Sequence, residues 1–445
     1  MGAVPPLKRT SSHPARSSLA SLVSRADVPW LAAVVLTAVV LRILWVAYVN
    51  VDPNDGRFDD SVFYHNVGHL LALGVGYDDP YARGPTAQWP PAYPAALAVL
   101  YKLFGWQLLL AKGLNIAFAG ITVALTYVIA RRVFDKRVAY LGALILAFFP
   151  GQIYFSTLVY SETMFSMVFM LVLLLALVWT AQHAEARWWQ VLLIGSLIGL
   201  AGMVRAEGVF LVFLLVALWG ATVRPWRTVA RYTALLALGA ILAFTPWTVR
   251  NAVQLHQFIP LRANASGAIS RVLDPDAVAP RTRAGESNLS LADGLEYQIT
   301  HPWEIPVLAG RRIVRLYRND SDGVRLILSN RAPPDDQPLT LDEQRRWRGL
   351  ADRYFFAAGA ASLVVIAWSL IRRDGSYLIL IVAALGWTAL FGFISPASRF
   401  HYPLGPIFAI LAGAFLVLVW DGAAMGWRRL WSRVKEPRPG PPEAS

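Results

Sequence analysis

The sequence predicts an all-α polytopic membrane protein, on three observations. Of its 445 residues 56% are hydrophobic and only 16% charged, a balance outside the range of soluble globular proteins. Uncharged stretches such as TMFSMVFMLVLLLALVWTA (163–181) are long enough to cross a hydrocarbon core of roughly 30 Å as helix. The net charge of +13 gathers beside those stretches, in RRVFDKR (131–137), Arg224 with Arg227 and Arg231, RRD (372–374) and RRLWSRVK (428–435). Short basic flanks of this kind mark cytoplasmic loops. A basic face with interleaved aromatics, as nucleic-acid binding requires, is missing. With no cysteine, disulfides and thiolate chemistry are excluded, and a catalytic site must use oxygen and nitrogen groups.

Taken in order, residues 1–28 are a polar, Ser- and Arg-containing segment expected to be a disordered cytoplasmic tail. The apolar run 30–49 that follows lacks a small-residue cleavage site and is an anchor. Residues 190–223 carry only two charges, Arg205 and Glu207. As one helix they would measure about 51 Å, far beyond one crossing, and counting them as one span would put the later basic segments outside. Two spans in a hairpin keep those segments inside. The expected spans are 30–49, 108–130, 138–155, 163–181, 190–204, 207–223, 228–245, 351–371, 376–394 and 403–421, ten in all, with both termini cytoplasmic in the cell membrane. The chain then divides into the tail (1–28), a transmembrane catalytic module (29–245) including the extracytoplasmic loop 50–107, a large extracytoplasmic loop (246–350), C-terminal transmembrane helices (351–421) and a basic cytoplasmic tail (422–445).

This parity gathers the chemistry on the extracytoplasmic side. The first loop contains FDDSVFYHNVGHLLALG (58–74), in which Phe63, Val67, Leu70 and Leu71 recur at helical spacing, the pattern of an amphipathic surface helix. Asp59 and Asp60 stand at its start, where one carboxylate would suffice as a cap. PPAYPAALAVLYKLFG (90–105), with Tyr93 in its turn, reads as a second surface helix. The turn at Glu162, MVRAEG (203–208), PWTVRN (246–251) and SPASRFHYP (395–403) open on the same side. Basic loops without a Gly-rich phosphate cradle argue against a nucleotide-driven pump.

DSVFYHNVGHLLALGVGY, TAQWPPAYPAALAVL, FPGQIYFSTLVYSETMF, VRAEG and TPWTVRN, in that order, resemble the successive signatures of GT-C membrane glycosyltransferases of family 39 type, the group of the protein O-mannosyltransferases and the lipid A aminoarabinose transferases. The similarity runs from about residue 30 to 265 and returns at SRFHYPLGP. It implies a GT-C type bundle, a polyprenyl-phosphate sugar donor, a hydroxyl or amine acceptor in the cell envelope (glycan, lipid or protein), and a first-loop aspartate as the catalytic group. The residues point the same way. Displacement with inversion needs one base on the face opposite the leaving group. Asp60 shares a helical face with Tyr64, and this D-x-x-x-Y spacing is the part that matches the family signature. Asp60 is therefore expected as the base, and Asp59 as a cap or acceptor ligand. A leaving lipid phosphate calls for cations in a water-poor site, and Arg205, Arg250 and Arg399 fall at outer span ends.

Each candidate has a plainer reading. Glu162 caps the helix starting at Thr163, or serves as a second acid that orients the acceptor or pairs with a cation. Glu207 is the counter-ion of Arg205. His401 binds donor phosphate beside Arg399 or anchors an interfacial turn. His65 and His69 have metal-ligand spacing without an accompanying acidic motif; no metal site is expected, and a divalent cation stays open as a cofactor. Arg42 and Lys112 lie within spans, where they face the bundle or snorkel. Pro246 in PWTVRN would end its helix. The alternative class is a transporter or lipid-linked sugar flippase, which would show paired broken helices and charges near mid-bilayer. Here no internal repeat is found and the charges cluster at one surface. A non-catalytic glycan-binding scaffold would need no base at Asp60.

Overall fold

A computed structural model describes residues 23–49, 60–82, 84–180, 186–222, 225–263, 296, 299–329, 339–372, 375–394 and 397–435. Asp59 lies outside them. Among the described residues regular structure is helical, apart from an isolated bridge between Asp78 and Pro85. The helices are α1 (Val28–Val49), α2 (Asp60–Ala72), α3 (Ala92–Phe104), α4 (Leu108–Val133), α5 (Lys136–Ala147), α6 (Pro150–Tyr154), α7 (Glu162–Trp179), α8 (Trp188–Val204), α9 (Leu211–Ala221), α10 (Trp226–Leu255), α11 (Glu304–Leu316), α12 (Asp322–Ser329), α13 (Leu341–Arg372), α14 (Leu378–Phe393) and α15 (Gly405–Lys435).

Six helices are long and apolar enough to cross a membrane: Val28–Val49, Leu108–Val133, Glu162–Trp179, Trp226–Leu255, Leu341–Arg372 and Ser398–Ala424. A seventh crossing forms if Lys136–Ala147 and Pro150–Thr157, bent by 52°, count as one. A proline inside an apolar run is the usual cause of such a bend. The remaining expected spans fall on Trp188–Val204, Ala206–Ala221 and Leu378–Phe393, each about 24–26 Å long and short of the roughly 30 Å core. By length and composition alone, six or seven of the described helices cross, and these three shorter apolar helices make the difference from the expected ten.

The run 190–223 does break, at Arg205, whose backbone is extended (φ −146°, ψ 127°). Small residues then let α8 and α10 touch backbone to backbone. A Cβ on Gly195 would lie 2.4 Å from the Leu236 carbonyl, and one on Gly199 2.7 Å from that of Ala240. Both contacts advance by four residues in the same sense, so α8 and α10 run parallel and α9 must return between them. α7, apolar on every face, is buried nearly all round and forms the centre of the bundle.

Two expectations are corrected here, and one alternative is decided. Helix α2 is no surface helix: Val62, Phe63, Tyr64, His65 and Val67 are all buried, because α3 closes over it, with Gly68 against Leu97 and Tyr101. α3 alone keeps an exposed apolar face, at Val99, Leu103 and Phe104. Pro246 does not end α10, which continues to Leu255. The Thr245 and Thr248 hydroxyls donate to the Ile241 and Phe244 carbonyls beside it, as hydroxyls do where a proline interrupts a membrane helix. Arg42 and Lys112 both face the interior, 1% and 2% exposed, with Arg42 donating to the Ala38 and Ala147 carbonyls.

Candidate active site

Five charged residues meet where helices begin and end. Asp60 opens α2 and Glu162 opens α7, the ends at which a helix dipole favours an acid, and Arg205 closes α8, where it favours a cation. Glu207 lies in the 3₁₀ turn Ala206–Phe210, and Arg399 in the 3₁₀ turn Ser398–Leu404. Arg399 Nη2 donates to Asp60 Oδ2 at 2.8 Å, and its Nε lies 3.8 Å from Glu162 Oε1. Arg205 Nη1 is 2.7 Å from the same Glu162 oxygen, and its Nη2 donates to Glu207 Oε1 at 3.2 Å. Glu162, 3% exposed, is the deepest of the five, and its Oε2 accepts no hydrogen bond among the described residues. Phe400 lies beneath both guanidinium groups, at 5.0 and 5.7 Å. Trp387 and Phe391 complete the apolar wall of the cleft.

Electrostatics follow from this packing. Burial works against ionisation of Glu207, and Arg205, with a backbone hydrogen bond and Arg262, outweighs it, holding the carboxyl below its usual range. Burial, reinforced by Asp60, pushes the Tyr64 phenol up, so Tyr64 keeps its proton beside the acids.

The other candidates are placed elsewhere. Arg250 does not join Arg205 and Arg399, which corrects the expected convergence of three arginines. Its guanidinium donates to the Thr86 and Tyr77 carbonyls, each at 2.7 Å, and to Asn251 Oδ1 at 3.0 Å, fastening the first loop to α10. His401 is likewise committed below the cleft. Its Nδ1–H donates to the Leu316 carbonyl at 2.9 Å, its Nε2 sits 2.8 Å from Asp320 Oδ1, and Phe355 stacks on its ring. That is an anchoring position and not one beside the Arg399 side chain. His65 and His69 both stack on Trp106, and His65 Nδ1 bonds the Tyr101 hydroxyl at 2.7 Å. Among the described residues no group of three metal-ligating side chains is gathered. Tyr93 lies edge-on to Tyr64 and donates to Asn115 Oδ1. Glu162 pairs with two cations and does not act as a simple cap.

Three supports escaped the sequence reading. Asn115 in α4 accepts from Tyr93 and Thr163 and donates to the Leu158 carbonyl, tying α3 and α7 together around Glu162. A lone amide inside a span was the available signal. Asp322 Oδ2 accepts from the Arg399 backbone N–H at 2.8 Å and from Ser398, so the turn between α11 and α12 sets where Arg399 emerges. Asp320 is buried, which raises its carboxyl, with His401 opposing. A Cβ on Gly151 would lie 1.9 Å from it, which accounts for the glycine in FPG. RNDSDG (318–323) offered only an acid pair in a long loop.

Residues 88–249 match the family model of dolichyl-phosphate-mannose-protein mannosyltransferases. No curated protein matches the chain in sequence. Among solved structures, ArnT from Cupriavidus metallidurans bound to undecaprenyl phosphate aligns with a TM-score of 0.53 and 16% identity, covering 88% of this chain and 60% of that one. The same protein in the apo state gives 0.54 and 18%, over 90% and 63%. The Archaeoglobus fulgidus oligosaccharyltransferase in the apo form gives 0.56 and 15%, over 93% and 52%. The chain thus spans between half and two thirds of the length of these proteins. At such identities the likeness is one of fold, and it agrees with the family match inside the helical module. In fold, and over residues 88–249 in sequence, the chain is similar to GT-C membrane glycosyltransferases of the protein mannosyltransferase and ArnT type.

Proposed function

We propose that the protein transfers a sugar from a polyprenyl-phosphate donor to an extracytoplasmic acceptor with inversion, Asp60 serving as general base. The observation that carries this reading is the Asp60–Arg399 pair beside Glu162 and Arg205, two acids and two arginines against an apolar wall at helix ends. ArnT was solved with undecaprenyl phosphate, which supports a lipid phosphate as the donor's carrier. In the proposed step the acceptor oxygen or nitrogen attacks the anomeric carbon, the bond from that carbon to the phosphate oxygen breaks, and the acceptor's proton passes to Asp60. Arg399 and Arg205 receive the phosphate charge as it develops, where fixed donors in a water-poor cleft act most strongly. Arg399 leaving Asp60 for the phosphate would free the carboxylate to take the proton. The open Glu162 Oε2 suits an acceptor O–H or N–H. Asp59 keeps its proposed place as an acceptor ligand or cap.

Charge supports an extracytoplasmic cleft. Arg137 pairs with Asp421 at 2.7 and 2.9 Å, and Lys136 with Asp27 at 2.7 Å, at the end of α15 remote from Arg399 and roughly 30 Å along the chain's helical path. These basic contacts suit the cytoplasmic face.

The test is genetic and chemical. Deleting the gene should accumulate a lipid-linked sugar and remove one envelope glycan, lipid or protein modification. Wild type should restore it, and Asp60→Asn should lower turnover about 10²- to 10⁴-fold while the protein still inserts. Full complementation by Asp60→Asn would remove the base.

A further inference from the structure

The cleft has a charge deficit for the task just proposed. Asp60, Glu162 and Glu207 face Arg205 and Arg399, three negative groups against two positive ones, and each guanidinium is already within 4 Å of a carboxylate. An arriving phosphate meets a site that is formally negative. Electrostatic stabilisation of a lipid phosphate therefore calls for a further cation with no carboxylate in direct contact.

Arg262 meets this description. Its guanidinium lies over the Trp89 ring at 5.7 Å, and among the described residues no carboxylate pairs with it within 4 Å. Trp89 in turn packs at 6.5 Å from Tyr64, one helical turn from Asp60. On its other flank Arg262 acts electrostatically on Glu207, the partner of Arg205. Its backbone is pinned. The Leu261 carbonyl accepts from the Trp247 indole at 3.0 Å, Ala263 N–H donates to the Ala87 carbonyl at 2.7 Å, and the Ile259 carbonyl accepts from Asn251 at 2.8 Å. Three bonds hold the five residues 259–263 against α10 and the first loop. Such fastening, beside a guanidinium that lies over an indole and has no carboxylate within 4 Å among the described residues, is how a cation is held ready for an anion.

We propose that Arg262, held against Trp89, is the third anion-binding cation of the cleft and a ligand for the donor's phosphate group. The assignment rests on the donor reading above, and the shared chemistry is a phosphate ester or free phosphate. Arg205 closes α8, Arg399 sits in the 3₁₀ turn Ser398–Leu404, and Arg262 follows the end of α10.

The experiment measures binding of undecaprenyl phosphate, of undecaprenol and of inorganic phosphate to the detergent-purified full chain, by native mass spectrometry and tryptophan quenching. Arg262→Gln should weaken undecaprenyl phosphate roughly tenfold or more, as for a lost charged hydrogen bond. Arg262→Lys should recover part of it, since it restores charge without the planar fork, and undecaprenol should bind both variants as it binds wild type. Competition by inorganic phosphate that is lost in Arg262→Gln supports the site and shows that phosphate alone is recognised; competition that is absent from wild type shows that the lipid ester is required. Undecaprenyl phosphate binding to Arg262→Gln at the wild-type strength overturns the assignment, as does an equal loss of undecaprenol, which would mean a collapsed cleft. If wild type itself does not distinguish undecaprenyl phosphate from undecaprenol, it is the donor reading that falls.

Discussion

Glu207, part-buried, and Asp320, buried, are carboxylates beside a basic side chain, yet they are shifted in opposite directions. Glu207 has the permanent charge of Arg205 at 3.2 Å, and its carboxyl is held below the ordinary 4.5. Asp320 has an imidazole, and burial prevails. A carboxyl lowered in the folded state contributes stability that is present above its unfolded value and is lost as pH falls through the folded one. In detergent, the melting temperature of wild type should therefore fall more between pH 7 and pH 3 than that of Glu207→Gln. Equal losses in the two proteins would show that the Arg205–Glu207 pair adds nothing to stability. At this scale the sequence was informative about which groups carry charge and poor about how they pair. Arg205, Glu207, Glu162 and Arg399 were legible as polar residues at span ends, and Asp60 as an acid opening a first-loop helix. That Arg250 and His401 leave the group for backbone carbonyls was not, because Tyr77, Thr86 and Leu316 supply those acceptors and a carbonyl has no sequence signal.

The elements owe their contacts to small residues. Gly195, Gly199 and Gly239 allow α8 and α10 to meet at their backbones, and dispersion at close range takes the place of the hydrophobic effect inside a bilayer. Gly195→Ala should lower stability by about 1–3 kcal/mol through overpacking, even though alanine is the better helix former. Gly220→Ala in α9, where an added Cβ meets nothing within 4 Å, should be neutral or stabilising. Thermal unfolding of the two variants in one detergent tests this; a gain in both would remove the close-packing argument. The same scale corrected α2. Its apolar positions at Phe63 and Val67 implied one buried face, whereas α3 covers it and Gly68 lets α3 approach. Amphipathic spacing cannot report a helix that is covered by its own successor.

For the whole molecule, the hairpin at Arg205 sets the direction of every later helix. If α13, α14 and α15 all cross, as the ten-span reading has it, cysteines placed singly at Ser270 and Ser432 of this cysteine-free chain label from opposite sides of intact membranes with an impermeant maleimide. Labelling of both from the same side would overturn the ten-span topology. Burial is uneven across the bundle: α7 has 78% of its apolar window inside the protein, and α1 only 17%, so α7 is surrounded by protein and α1 faces lipid on most sides. The site forms at the start of α7, where the most enclosed helix meets the first loop and the 3₁₀ turn before α15.

By itself the sequence determined the solvent this protein folds in, the helical class, the break between 190 and 223, and the ordered motifs that resemble GT-C glycosyltransferases. Each of these is carried by composition, by length or by residues close along the chain, which the linear order preserves. Only the tertiary structure decided which charges share a cleft. Asp60 and Arg399 are separated by 339 residues, and Arg250 and Tyr77 by 173. Which arginine takes a carboxylate and which takes a carbonyl depends on where helix ends come to rest, and that is set by the glycine contacts between helices and by Asp322 and Asn115 holding the turns. Such packing brings together groups that no local pattern connects.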